Sequence, residues 1–379
     1  MTPAAFRRPG PVPPSAPPEW ADAFRQVPRA LFLPERVWPY DRSVGAGNAV
    51  DRTSDPEAWQ RAAEGDEPVI TQWDDGAHQG VAPGRVFSSS ASAPDLVADM
   101  LALLDVSPEA RVLEVGTGTG WNAALLAHRV GDANVVTVEV DPDIAAAAER
   151  ALVRAGRKVR VVTGDGAFGV PDGAPYDRLI VTAGVRAIPA AWLGQVRSGG
   201  IILLPYGTPY SGDDALLRLT RREDGTASGR FRGQARFMKL RAQRSPTPTS
   251  PPGLPFRDFA TDVWPPHTPW HPFAFIAGLH LRGAAHAVQE HEDGHTHWLY
   301  SRTVPGWTAA VRRGGDEVIV RQAGERALWD EMVATHAWWS ELGEPGIDRF
   351  GLTVRPDGAH LVWLDEPENV IAPAATPGR

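Results

Sequence analysis

The 379-residue chain contains no cysteine. That excludes a disulfide framework, a thiolate metal site and a cysteine nucleophile, and nothing in the composition asks for an oxidising compartment. No apolar run approaches the roughly 20 residues needed to cross a bilayer, so no membrane partner is expected. Arg7 and Arg8 are followed by prolines instead of an apolar stretch, so no secretory signal is expected and the protein is expected to be cytoplasmic. Positive charge is also in short supply. Lys and Arg total 38 against 46 Asp and Glu, a formal net charge of −8. A nucleic-acid binder wants a basic face, so no nucleic acid is expected as a partner. No internal repeat is visible. What is plentiful is proline (36), glycine (38) and tryptophan (14), with eight of the tryptophans from Trp264 onward.

The length allows two domains, each with its own core. Residues 1–19 hold seven prolines and little apolar content, and read as a disordered tail. From residue 20 to 244 strands and helices alternate. Short strands rich in Val, Ile or Leu are expected at 111–115, 135–139, 158–163, 177–182 and 200–204, and helices at 94–104, 121–130, 142–155 and 188–196. That spacing makes a doubly wound α/β fold, a parallel sheet covered on both faces. Residues 245–272, with nine prolines, read as a linker or strap. Beyond it, 273–379 changes character. Alternating stretches at Thr296–Arg302, Ala309–Val311 and Glu317–Arg321, a helix over Ala327–Leu342, and strands at Gly351–Val354 and His360–Leu364 predict a separate, smaller α+β domain.

Residues 110–120, Ala-Arg-Val-Leu-Glu-Val-Gly-Thr-Gly-Thr-Gly, are the most informative stretch. A buried strand runs into a glycine turn that opens a helix at Trp121. Glycines at 116, 118 and 120 place no Cβ in the way, so a ligand can approach the backbone. The next strand ends on Glu139, whose carboxylate can accept from both ribose hydroxyls of a nucleoside. Trp121 stands where a dinucleotide fingerprint needs glycine. A pyrophosphate therefore fits poorly, and S-adenosylmethionine fits better. Thr163-Gly164-Asp165-Gly166 follows the third strand, where Asp165 can accept an adenine amine. The fourth strand ends in Thr182-Ala183-Gly184, small residues at a carboxyl edge where such sheets bind ligands.

Ahead of the helix at 94–104 lie hydroxyls at 88, 89, 90 and 92. One of these serines is expected to cap the helix, since Pro94 marks a helix start. Four are more than a cap needs, and a helix N-terminus also suits a carboxylate substrate. Arg186 is a further candidate for a carboxylate, or a solvated loop residue. Glu290-His291-Glu292-Asp293-Gly294-His295-Thr296-His297 could supply metal ligands, but Asp293-Gly294 is a hairpin turn and the histidines then line a strand face, so no metal is expected.

Val27-Pro28-Arg29, Ser90-Ala91-Ser92-Ala93-Pro94, the run from Val112 to Gly120, Gly164-Asp165-Gly166, Tyr176-Asp177 and Ser198-Gly199-Gly200 occur in order. Together they resemble the protein-L-isoaspartate O-methyltransferase family over roughly residues 20–205. The resemblance implies a class I methyltransferase (Rossmann-like) sheet with S-adenosylmethionine held by Glu114, Gly116, Thr117, Gly118, Gly120, Glu139, Asp165 and Gly166. It also implies a substrate side built from Ser89, Ser90, Ala91, Ser92 and Thr182. Ser92 occupies the position of the family's substrate-side serine, with Ser90 beside it, and these two are the expected catalytic residues. Two departures stand out: the stretch 43–85 is longer than in the family's repair enzymes, and the 245–379 extension is absent from them. Both features are similar to the actinobacterial subgroup that methylates an aspartate in a constrained, ribosomally made precursor peptide, where the ester collapses to aspartimide or isoaspartate. A peptide is then the expected partner. An isoaspartyl repair enzyme with an accessory domain, and a non-catalytic peptide-recognition module, remain the alternatives.

Overall fold

The computed structural model describes residues 9–41, 43–246, 248–266, 268, 270–313 and 318–372. The chain begins with α1 (Ala21–Gln26) and a small antiparallel sheet. That sheet comprises β1 (Arg36–Asp41), β2 (Gly45–Ala46), β3 (Val50–Asp51), β4 (Val69–Trp73) and β5 (Phe87–Ala91), with α2 (Pro56–Glu64) inserted before β4. The long 43–85 stretch therefore builds most of a sheet whose last strand carries the serines. Helix α3 (Pro94–Leu104) follows, with proline at its first turn.

The main sheet then assembles from β6 (Val112–Val115), α4 (Trp121–Val130), β7 (Val135–Glu139), α5 (Pro142–Arg154), β8 (Arg160–Thr163), β9 (Tyr176–Val181), α6 (Ala190–Gln195) and β10 (Val196–Gly207). Strands β8, β7, β6, β9 and β10 run parallel in that spatial order. Because β6 sits between β7 and β9, the chain reverses direction of travel across the sheet there, and a crevice opens at the carboxyl ends of β6, β7 and β9. The inner strands β6, β7 and β9 are almost wholly buried because helices cover both faces, while β8 is the half-exposed edge. Asp141 caps α5 through Asp143 N and Ile144 N, and Gly131, at φ +88°, ends α4. Two antiparallel strands, β11 (Asp214–Arg221) and β12 (Ala227–Ala235), extend the sheet beyond β10.

The C-terminal third is β13 (Phe256–Thr261), α7 (Pro272–His280), β14 (Ala284–His291), β15 (Gly294–Ser301), β16 (Gly306–Arg313), β17 (Val318–Gly324), α8 (Leu328–Glu341), β18 (Phe350–Val354) and β19 (His360–Leu364). Three expectations are corrected here. The 273–379 segment is not a self-contained domain: β14 to β17 form a third sheet with β13, but β18 pairs with β12 and completes a nine-stranded main sheet. One core runs from Leu217 and Phe231 through Phe275 and Trp329 to Val320 and Leu352. The proline-rich 245–272 stretch is not only a linker, since β13 pairs with β17 along its whole length. Residues 9–19 are not disordered. Ser15 bonds Asp95 through both its amide and hydroxyl, Gly10 N donates to Arg25 O, and Pro13 is buried; residues 1–8 of the expected tail lie outside the described residues. A proline-rich composition mimics disorder, but an extended chain with few free amides can pack on a surface at little hydrogen-bonding cost.

Candidate functional site

A cleft of about 270 Å³ opens at the carboxyl edge of the main sheet. The glycine loop forms its floor, with Gly116, Gly118 and Gly120 at φ +97°, +52° and +86°, a left-handed backbone that favours glycine. A Cβ on Gly116 would fall 2.8 Å from Thr182 Oγ1, so β6 and β9 can approach only with glycine there. Gly120 has another role: it lies outside the cleft lining and its missing Cβ lets α4 pack on Ala148 of α5.

Two carboxylates at successive strand ends face this loop. Glu139, 9% exposed, accepts from Gly118 N (2.9 Å) and Asp141 N (3.2 Å) and lines the cleft. It thus fixes the loop and still has lone pairs for a ligand. Asp165 accepts from Ala167 N at 2.9 Å, and its carboxylate lines the cleft next to Gly166. Glu114 is fully buried below the loop. Its oxygens take Asn122 Nδ2 (2.7 Å) and Thr137 Oγ1 (2.6 Å), and Thr117 Oγ1 extends the chain at 2.7 Å from Thr137. Burial pushes the Glu114 carboxyl up to about 7, against the two bonds that favour its charged form. Its bonds make it a support of the loop.

The serines come from β5. Ser88 is committed to the small sheet, bonding Gln72 Oε1 and accepting from Asp75 N. Ser89 is buried, and Ser90 and Ser92 are half-buried on the cleft wall with Ala91 and Thr182. No serine caps α3. Its N-cap is Ala93, and Asp66 Oδ1 instead accepts from Asp95 N at 2.8 Å. Among the described residues no hydrogen bond holds the Ser90 or Ser92 hydroxyl, so both can serve a ligand. The expected cap failed because a carboxylate from the 43–85 stretch reached the helix first. Arg29, 3% exposed, holds the backbone of this corner: it donates to the carbonyls of Ala62, Ala63, Gly65, Glu67 and Ser92. Burial lowers its pKa to about 10, which leaves it charged at neutral pH. Val27 O, two residues before it, takes Trp121 Nε1 at 2.8 Å.

Sequence reasoning missed the cleft's outer wall, the segment from Met238 to Arg244 after β12. Arg241 reaches Asp141 (3.1 Å) and Asp75 (3.2 Å), and Arg244 grips both oxygens of Asp75 at 2.9 Å. These bonds tie the small sheet, the main sheet and the wall together across the cleft mouth. Lys239 pairs with fully buried Asp214 beside Gly184 and Gly207, and burial pulls the ammonium down and pushes the carboxyl up. No local pattern announces these partners. Arg186 is not at the cleft; it donates to Gln243 O and Ser245 Oγ and anchors the chain after the wall. Of the histidines, His297 bonds His286 at 3.0 Å and His291 bonds Thr296 at 2.9 Å, and no group of three or more metal-ligating side chains occurs among the described residues.

A second groove, about 520 Å³, meets the cleft. Ser90, Ser92 and Met238 line both. A ligand in one and a ligand in the other therefore come together at the two unbonded hydroxyls.

Residues 71–245 match the family described as protein-L-isoaspartate(D-aspartate) O-methyltransferase. A protein-L-isoaspartate O-methyltransferase of Pyrococcus horikoshii is 44% identical over 39% of this chain and 67% of its own length. That of Methanococcoides burtonii is 31% identical over 58% of this chain and 90% of its own. A solved protein-L-isoaspartate O-methyltransferase superposes with a TM-score of 0.53 at 23% identity, over 93% of this chain and 96% of that one. The last comparison corrects one expectation: the fold of the 245–379 extension is shared with a protein of that name. Among the described residues no helix is long and apolar enough to cross a membrane. The chain belongs to the protein-L-isoaspartate O-methyltransferase family of carboxyl O-methyltransferases.

Proposed function

We propose that the protein esterifies the side-chain carboxylate of an aspartate in a constrained precursor peptide, in the cytoplasm, and that the ester then closes to an aspartimide. The cofactor is S-adenosylmethionine. The cleft suits it: the glycine loop leaves backbone open to a ligand, and among the lining residues Glu139 could accept from ribose hydroxyls and Asp165, beside Gly166, from an adenine amine. When bound it supplies an electrophilic methyl group on a sulfonium.

The remaining chemistry belongs to this chain's own residues. An aspartate is already ionised near neutral pH, so no general base is required. Ser90 and Ser92 can each donate one hydrogen bond to an acceptor carboxylate and turn its free oxygen toward the cleft. Neutral donors suit this task, because a tight cation would hold the charge on the oxygen and reduce its nucleophilicity. Arg241 and Arg244, through Asp75 and Asp141, tie the outer wall to the two sheets beside the cleft. Positioning supplies the rate. After release, the backbone amide nitrogen following the ester attacks its carbonyl carbon, methoxide leaves and takes up the amide proton as methanol, and the succinimide ring closes.

The observation that carries this reading is the pair of unbonded serines shared by the two cavities. The choice of a constrained peptide is supported by the groove's walls, which come from the long 43–85 stretch and from the C-terminal extension as well as the methyltransferase core. Isoaspartyl repair is the second reading, favoured by the solved family member that shares the fold of nearly the whole chain. Mass spectrometry on three peptides of one sequence separates them: cyclic aspartyl, linear aspartyl and linear isoaspartyl. We expect dehydration of the cyclic aspartyl peptide through its methyl ester. Turnover of the isoaspartyl peptide alone would establish repair instead.

A further inference from the structure

The second groove has a chemical character of its own, and the role inferred for it rests on the reading that an aspartyl peptide enters it. Its inner end is Ser90 and Ser92, and its rim carries aromatic rings from three separate segments. Tyr40 and Phe87 meet edge-on at 6.4 Å, and Phe87 is 38% exposed. Trp270 arrives from the proline-rich stretch and is 39% exposed, a large apolar surface facing solvent. Its φ of +64° is a left-handed conformation that a bulky residue rarely adopts.

The charges along the same groove are unbalanced. Asp95 and Asp99 lie one turn apart on α3 and both line it, a like-charge spacing that weakens a helix. Asp66 lines it as well, but its charge already faces the buried Arg29, whose pKa it raises. Asp95 takes the amide and hydroxyl of Ser15, neutral donors that leave its charge in place. The groove's cationic side chain, Arg236, is spoken for: it pairs with Asp213 at 2.6 Å and stacks on Trp270 at 5.0 Å. Burial and its neighbours Asp95 and Asp66 raise the Asp99 pKa, against a hydrogen bond from Ser15 that lowers it.

We propose that the groove selects an acceptor aspartate flanked by a lysine or arginine, whose aliphatic stem packs on Trp270 and Phe87 while its cationic head is received by Asp95 and Asp99. Long cationic side chains divide in this way between an apolar wall and a charged partner. Trp270 makes the C-terminal extension part of the acceptor site, and the specificity is electrostatic, which suits discrimination among peptides that all carry an anionic acceptor.

The test uses the full-length chain, S-adenosylmethionine and cyclic hexapeptides holding one Asp-Gly step, with Lys, Ala or Glu before the aspartate. Each is made with aspartate and with isoaspartate. We expect kcat/KM for the Lys peptide to exceed that for the Glu peptide about ten-fold, with Ala between, as for a partly screened charge contact. Asp99→Asn should narrow that ratio, and Trp270→Ala should raise KM for the Lys peptide with kcat held. Equal rates for Lys and Glu, or a ratio untouched in Asp99→Asn, would overturn the proposal. If none of the aspartyl peptides is esterified, whether or not the isoaspartyl ones are, the underlying reading of an aspartyl acceptor fails, and this one falls with it.

Discussion

Replacing Glu139 by alanine tests the cofactor cleft through its most heavily used side chain. In the structure one carboxylate oxygen holds Gly118 N at 2.9 Å and the other holds Asp141 N at 3.2 Å, with the side chain 9% exposed. The substitution strands the amide of Gly118, whose φ is +52°, and it also deletes the proposed acceptor for a ribose diol. A hydrogen bond to a charged group is worth about 1.5–3 kcal/mol, and part of each loss is recovered by water entering the emptied site. The net expectation is about 1–3 kcal/mol in cofactor binding, which is about a 5- to 150-fold rise in Kd. Titration calorimetry with S-adenosylhomocysteine reads it directly. Glu139→Gln keeps one acceptor oxygen for Gly118 N and should fall between wild type and alanine. An unchanged Kd in Glu139→Ala would refute the assignment of this strand end to the cofactor.

Three further outcomes are expected from buried groups and from the sheet. Arg29→Met should lower stability by about 3–5 kcal/mol, because five carbonyls lose a buried cationic donor; a thermal midpoint within a degree or so of wild type would contradict this. Glu114, at about 7 when folded against 4.5 unfolded, keeps a proton that the unfolded chain releases. Its contribution therefore declines by about 3 kcal/mol as pH rises from 4.5 to 7, and Glu114→Gln should remove that part of the slope in denaturant titrations. Ending the chain at residue 244 takes away β18, the partner of β12, and half of a continuous core. That product should aggregate, and a soluble species with a cooperative melt would show that the main sheet does not need its last two strands.

The inner parallel strands were legible because β6, β7 and β9 are short, mostly apolar and largely buried, and the cleft edge because glycines 116 and 118, Glu139 and Asp165 sit at successive strand ends. Local sequence carries that information. It does not carry the choice of distant partners. Arg244 is 169 residues from Asp75 and Arg241 is 100 from Asp141, and either could have pointed to water. The hairpin of β18 and β19 reads the same whichever sheet it joins, so its pairing with β12 was invisible. Helix α7 was hidden because Pro272 at its first turn reads as more linker, although proline is favoured there. The expected serine cap failed for a related reason: Asp66, 29 residues upstream of Asp95, took the role.

Ser92 stands where cleft and groove meet, free of any hydrogen bond among the described residues, and the proposed chemistry turns on it. Its most direct test is the single-turnover rate of methyl transfer by Ser92→Ala at saturating cofactor and acceptor peptide. Loss of one orienting hydrogen bond to a carboxylate predicts a rate about 10- to 100-fold lower, with cofactor Kd and thermal midpoint close to wild type. A wild-type rate in that variant would contradict the assignment of the serine junction to the acceptor carboxylate.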